Sequence, residues 1–268
     1  MLIDDIRKRE MGVFEIFAMA RSVYKANISA IIRVAVFIGF PINILLSFVA
    51  VSVSRLGANF DFQAIASNPS AVEQFIESPL WRKMGLYYII IVIIQSMMLP
   101  LITMAVARIT KNYATGLEAN SREAMLEAFS KGAVLIGAAF ISELLIGGGM
   151  ILFIIPGIIF TVNLYFYVYA IMLDGKGVLS SLSYSISLVK GYFLKTLIAA
   201  AIIYGVNYSV SYLLSSLLMW GQIDILTEVM ARFIITVVDC YFAVAVTIFY
   251  MNRQAVKEGS ARKIEDLM

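Results

Sequence analysis

Six polar residues stand isolated in otherwise apolar stretches: Asn43, Gln95, Glu143, Asn163, Asn207 and Asp239. Four are amides, which donate and accept hydrogen bonds, and two are carboxyls, which hold or release a proton. At about 1.5 Å of rise per residue, Glu143 counted from Gly132 and Asn163 counted from Asp174 both fall roughly 16 Å from the charged edge. Asn207, Gln95 and Asp239 fall at roughly 18–21 Å and Asn43 at about 22 Å. All six therefore belong to one central band of a hydrocarbon layer ~30 Å thick. Such a band either ties helices together or lines a path for a proton or a polar substrate. A charged carboxylate at that depth costs roughly 2.5–3.5 kcal/mol. Arg33, Arg108 and Arg232 all lie near boundaries, where their heads can reach water. At least one of Glu143 and Asp239 is thus expected to stay protonated, and both readings of the band remain open.

Little else in the chain points to chemistry. Histidine is absent, which removes the commonest general base and metal ligand together. The single Cys240 has no histidine to activate it and no partner for an intrachain disulfide, so it reads as a small core residue. Gly147-Gly148-Gly149 lacks the Lys-Ser/Thr of a phosphate loop and reads as a turn or a close-packing point. No paired carboxylates stand at a membrane face. The expectation is a non-enzyme with no cofactor, no metal and no nucleic-acid partner.

The elements that must carry the band are membrane spans. The apolar share is 61%, and Val34–Val53, Met84–Ala107, Thr196–Ile223 and Phe233–Asn252 each supply the ~20 apolar residues a spanning helix needs. Gly132–Leu173 has Glu143 as its single charge and is long enough for two crossings, with the hairpin at Gly147–Gly149 or at Pro156-Gly157. Backbone polar groups in lipid must pair internally, and these runs are apolar all round, which favours helices over a barrel. We expect an all-α polytopic transmembrane bundle forming a single domain over 1–268, with spans at 28–53, 84–107, 132–173 (two), 196–220 and 225–252. Residues 54–83 form an outer loop and 253–268 a tail. Pro41 and Pro100 are expected to kink their spans.

Three segments ahead of spans read as interfacial amphipathic helices: 12–27, 120–131 and 178–194. In the first, Val13, Ile16, Phe17, Ala20 and Tyr24 form the apolar stripe. In the second, Asn120 and Glu123 form a variant capping box, with Met125 and Phe129 pointing one way. In the third, Leu179, Leu182, Ile186, Val189 and Phe193 form the stripe opposite Ser180, Ser181 and Ser187, with Ser183 and Ser185 at the edges. The plan is one interfacial helix plus two spans, three times over. A short helix starting at Asn68-Pro69 and running to about Ser78 is expected in the outer loop.

Charge placement orients the chain. One side holds Arg7, Lys8, Arg9, Arg21, Lys25, Arg33, Arg108, Lys111, Arg122, Lys131, Lys176, Lys190, Lys195, Arg253, Lys257, Arg262 and Lys263. The other holds Arg55, Arg82, Lys83 and Arg232. The positive-inside rule puts both termini in the cytoplasm, and Trp81 and Trp220 then lie at the outer boundary. No cleavable signal peptide or lipidation motif is visible.

Ile155-Pro156-Gly157-Ile158-Ile159, Leu173-Asp174-Gly175-Lys176-Gly177 and Ser185-Ile186-Ser187-Leu188-Val189-Lys190-Gly191 carry a resemblance. So do Gly12-Val13-Phe14-Glu15-Ile16-Phe17 and Tyr24-Lys25-Ala26-Asn27. Together they resemble the membrane domain associated with some glycerophosphoryl diester phosphodiesterases and related bacterial multi-pass proteins. The resemblance implies the architecture and a bacterial inner membrane. It does not imply the hydrolase activity, which in fused members belongs to a separate soluble barrel with catalytic histidines. The expected role is an integral membrane protein that organises the bilayer or serves as an accessory or scaffold subunit, with lipids and another membrane protein as partners. The alternative is a transporter or lipid translocator working through the polar band.

Overall fold

The structure is a computed structural model that describes residues 2–58, 73, 75–97, 99–218 and 224–265. It is all-α, with no strand among the described residues. Six helices or helix pairs are long and apolar enough to cross a membrane: Ile28–Arg55, Pro79–Ala114, Gly132–Leu152, Ile154–Asp174, Phe193–Leu218 and Ile225–Gly259. The chain is a multi-pass membrane protein.

The elements in order are α1 (Leu2–Lys8), α2 (Val13–Ala26), α3 (Ile28–Val34) and α4 (Phe40–Ala58), then α5 (Pro79–Met97), α6 (Leu99–Ala114) and α7 (Ser121–Ser130). They continue with α8 (Gly132–Leu152), α9 (Ile154–Asn163), α10 (Tyr167–Asp174), α11 (Val178–Val189), α12 (Phe193–Leu218) and α13 (Ile225–Glu265). A π-helical turn, Ala35–Gly39, joins α3 to α4 directly ahead of Pro41. Proline has no N–H to give to the ladder and its ring crowds the preceding turn, so widening that turn accommodates it. Pro100 lies in the Pro79–Ala114 span two residues after Met98, and the kink expected there falls at a position outside the described residues. Ser78 starts α5, its hydroxyl accepting from the Trp81 amide at 3.1 Å with Pro79 in the first turn. The earlier part of the helix expected from Asn68, and Trp220, lie outside the described residues.

The hairpin after α8 turns at neither glycine motif. Phe153 breaks the helix with φ −158 and ψ 138, and Pro156 sits in the first turn of α9. The glycines serve approach instead. A Cβ on Gly149 would lie 2.9 Å from the Gly157 nitrogen, and one on Gly157 would lie 2.5 Å from Met150 Cγ. Close contact of this kind is how helices associate in lipid, where burial of apolar surface drives nothing.

The last helix is the hub. α13 packs against α1, α2, α4, α6 and α12 and continues as helix to Glu265, so residues 253–265 are not a separate tail. The three short helices each turn part of one face onto protein. α2 runs antiparallel along α13, with Met11 at Asn252, Phe17 at Tyr241 and Tyr24 at Val237. Its stripe is buried through Ile16, Ala20 and Val23. α7 buries the small residues Ser121, Ala124 and Ala128, while Phe129 is exposed. Asn120 caps α7 as expected, accepting from the Arg122 and Glu123 amides. α11 buries Leu182, Leu188 and Val189 together with Ser181 and Ser185, whereas Leu179 is 68% exposed and Ile186 is exposed. The serine face of α11 therefore meets protein on one side, for a reason that lies in α9 and α10.

Candidate functional site: the intramembrane polar seam and the charged end

Of the six band residues, three come together with partners on α13 and α12. Asn43 on α4 is buried and donates to Thr236 Oγ1 at 2.9 Å. Thr236 in turn donates to the Arg232 carbonyl at 2.9 Å. Gly39 lies beside it: a Cβ there would sit 3.0 Å from Thr236 Cγ2, so glycine lets the π-turn approach α13. One turn further along α13, the Asp239 carboxyl meets the Asn207 amide and the Ser211 hydroxyl of α12. Ser211 also donates to Asn207 Oδ1 at 3.1 Å. Thr236 and Asp239 line a cavity of about 150 Å³ together with Leu99, Ile102, Thr103, Cys240 and Ala243.

The other three members are placed elsewhere. Gln95 and Glu143 are exposed on α5 and α8. Asn163 ends α9, and what it contributes is its main chain. The Ser185 hydroxyl on α11 donates to the Asn163 carbonyl at 2.7 Å and accepts from the Phe166 amide at 3.0 Å. One buried serine thus satisfies both a loose acceptor and a loose donor where the span breaks between α9 and α10. Unpaired backbone at that depth costs several kcal/mol per group. The six residues are therefore a seam around α13 plus scattered positions, and a continuous band is not assembled.

The residue spacing did not reveal the second polar concentration, at the basic end of the bundle. Arg108 near the end of α6 makes a bidentate pair with Glu127 of α7, and Lys131 Nζ reaches Glu127 at 2.8 Å and the Met172 carbonyl at 2.8 Å. Lys111 Nζ takes the Leu173 carbonyl at 2.7 Å. The two lysines therefore occupy acceptors that the last turn of α10 leaves open, where a cation also suits the helix dipole. Asp174 accepts from the Tyr250 hydroxyl and, at 3.4 Å, from Gln254 Nε2. Gly175 then closes α10 in the left-handed conformation, φ 63. Lys176 and Lys257 lie over the Tyr184 ring at 4.9 and 5.7 Å.

Electrostatics follow the geometry. Burial alone would raise the Glu127 carboxyl, but hydrogen bonds and charge from Arg108 and Lys131 outweigh it and hold the group below the ordinary carboxylate value. Burial, with a smaller contribution from Cys240, pushes the Tyr24 hydroxyl up to about 12, so it stays a donor to the Val237 carbonyl at 2.8 Å.

Asn252 is the other residue that spacing could not reveal. It is buried, donates to the Ile6 and Arg9 carbonyls at 2.6 and 2.7 Å, and accepts from the Met11 amide at 3.1 Å. An amide at the end of an apolar run reads as the point where a span meets water; here it fastens the α1–α2 connection. Among the described residues no group of three or more His, Cys, Asp or Glu is placed to hold a metal ion. Comparison with protein-family models, with curated proteins and with solved structures returns no match for this chain.

Proposed function

We propose that this chain is a non-enzymatic protein of a bacterial inner membrane, with both termini cytoplasmic, that organises the bilayer or serves as an accessory or scaffold subunit of a membrane system. The observation that carries the reading is the contrast between a tied charged end and an untied apolar exterior. Arg108, Lys111, Glu127, Lys131 and Asp174 are bound into one another and into helix ends. The α8–α9 turn presents Ile151, Leu152, Phe153, Ile154 and Ile155 outward, Ile151 at 87% exposure. Binding energy in such a molecule is directed at lipid and at other membrane helices. The threefold plan of a short helix and two spans, and the resemblance to the phosphodiesterase-associated membrane domain, belong to the same proposal. Extraction in native membrane patches followed by mass spectrometry tests it: a stoichiometric membrane-protein partner or an enriched lipid class is expected. Patches of bulk lipid composition with no partner would overturn it.

Orientation has its own test. In a Cys240→Ser background, single cysteines at Ile65, Thr115 and Ser260 should react with an impermeant thiol reagent in intact cells only at position 65. Outside labelling at 260 would reverse the topology.

A second reading has one observation in its favour: Asp239, which stands beside Asn207 and Ser211, also lines a cavity with Thr236, Thr103 and Cys240. A transporter or lipid translocator would use that carboxyl. Asp239→Asn would then leave the protein stable but stop flux in reconstituted vesicles, whereas unchanged flux removes the reading.

A further inference from the structure

Arg253 stands where the apolar part of α13 ends, and its side chain is only 2% exposed. The Tyr192 ring covers one face of the guanidinium, 3.6 Å from ring centroid to Cζ. Stacking satisfies that face and leaves the N–H groups in the plane still needing acceptors. Nε, Nη1 and Nη2 are all buried without a hydrogen-bond partner. A buried cation lacking acceptors is costly, more so than a neutral group.

The carboxylate facing it belongs to Glu10, in the connection between α1 and α2. Glu10 Oε1 lies 3.5 Å from Nη1, while Oε2 takes a 2.8 Å bond from Lys195 Nζ at the start of α12. One carboxylate is shared by two cations and reaches hydrogen-bond geometry with Lys195 alone. Asn252 holds the backbone on either side of Glu10 through the Arg9 carbonyl and the Met11 amide. The Glu10 side chain can therefore swing out without unseating its loop. Glu10, Lys195 and Arg253 line a cavity of about 380 Å³ whose remaining wall is apolar, including Val13, Ile16, Ile198 and Phe249.

We propose that this cavity binds the phosphate of an anionic membrane lipid, which replaces the Glu10 carboxylate between Arg253 and Lys195 while an acyl chain lies against Ile198 and Phe249. A phosphodiester brings two unesterified oxygens, which match the forked donors of arginine in a way the distant Glu10 oxygen does not. Two cations against one carboxylate leave the site net positive, which disfavours a headgroup with its own cation. The apolar wall and the position at the start of α12 and the end of the apolar part of α13 favour lipid over free phosphate. The proposal rests on the membrane reading above for setting this cavity at headgroup depth, and it requires no scaffold role.

The test uses the full-length protein in detergent, titrated with phosphatidylglycerol, phosphatidylcholine or inorganic phosphate and read by native mass spectrometry and thermal stability. One retained phosphatidylglycerol is expected, bound roughly tenfold more tightly than phosphatidylcholine. Lys195→Ala should erase most of that preference and Glu10→Gln should increase it; Lys195 is 65% exposed and Glu10 lies in a loop, so neither change threatens folding. Equal retention of the two lipids by the unaltered protein, or a preference that moves in neither variant, overturns the proposal. Inorganic phosphate binding as tightly as the lipid overturns the lipid assignment in favour of a soluble phosphate. Loss of lipid preference in a protein that still extracts with its membrane partner would sink this site and leave the proposed function standing.

Discussion

α12 and α13 are adjacent apolar helices with opposite relations to the rest of the chain. α13 buries Thr236, Thr247, Asn252 and Arg253 along with its apolar residues. α12 buries Thr196, Ala199, Ala200 and Ile203 near its start, and leaves Tyr208, Tyr212, Leu213 and Leu217 exposed. Over their most apolar windows, 56% of α13 is buried against 17% of α12, although the mean hydropathies, 2.1 and 1.6, both mark a span. Hydropathy reports that a helix can leave water; it does not report whether its neighbours are protein or lipid, because lipid tails are as apolar as leucine. What separates these two helices is hydrogen bonding and close packing. Where the two helices pack, Asp239 on the buried one stands beside Asn207 and Ser211 on the exposed one.

The strongest way to break this picture lies in α11, which packs its buried face beside the hub. Leu182→Glu places a carboxyl among buried residues and should cost at least ~3 kcal/mol or prevent folding. Ser187→Glu should be mild, because Lys257 Nζ already approaches that hydroxyl at 2.8 Å. Similar losses in thermal unfolding for the two variants would refute the assigned face. Next in size is Asn252→Leu on α13, which removes the bonds to Ile6, Arg9 and Met11 and should cost about 3 kcal/mol. Proteolysis should then cut first in α1. The matching change on α12, Tyr208→Leu, is expected within ~0.5 kcal/mol; a loss comparable to that of Asn252→Leu would erase the contrast between the helices.

A smaller effect is expected where the π-turn meets α13. Asn43→Leu removes the bond to Thr236 and should cost roughly 0.6–1.7 kcal/mol, the range for interhelical hydrogen bonds in a bilayer. The smallest effect depends on pH. Because the folded protein holds Glu127 below its ordinary value of 4.5, the pairing with Arg108 and Lys131 contributes fully above that pH. Its contribution falls away as pH drops through the lowered folded value. Glu127→Gln should flatten that part of the acid unfolding curve and leave the rest unchanged; an identical curve in both proteins would show that the pairing adds nothing.

The polar residues show how far spacing can be trusted. Counting residues placed Asn43, Asn207 and Asp239 within reach of one another's helices, and the seam around α13 uses all three. The same count gave Gln95 and Glu143 equal standing, yet both are exposed, since depth along a helix says nothing about which way a residue faces. Ser185 went unrecognised as a partner of the chain break because its role depends on two backbone groups, at Asn163 and Phe166, about twenty residues earlier. Serines on a helix face read equally well as a wet surface.

Local properties of the chain were enough to establish that it is all-α and crosses a membrane with six helices. Length without charge and the need to pair every backbone group in lipid are questions a segment answers by itself. Proline and glycine positions narrowed the turns but did not place them: the hairpin falls at Phe153, between two glycine-bearing motifs, because Gly149 and Gly157 are spent on the contact between α8 and α9. Tertiary structure alone decided which stripe of α11 is buried, that α2 lies along α13, and that Asn252 and Arg253 are buried at opposite ends of the chain from the Ile6–Glu10 segment they meet. Those contacts join residues more than two hundred positions apart, and a pairing over that distance is set by how the helices pack rather than by the pattern within any one of them.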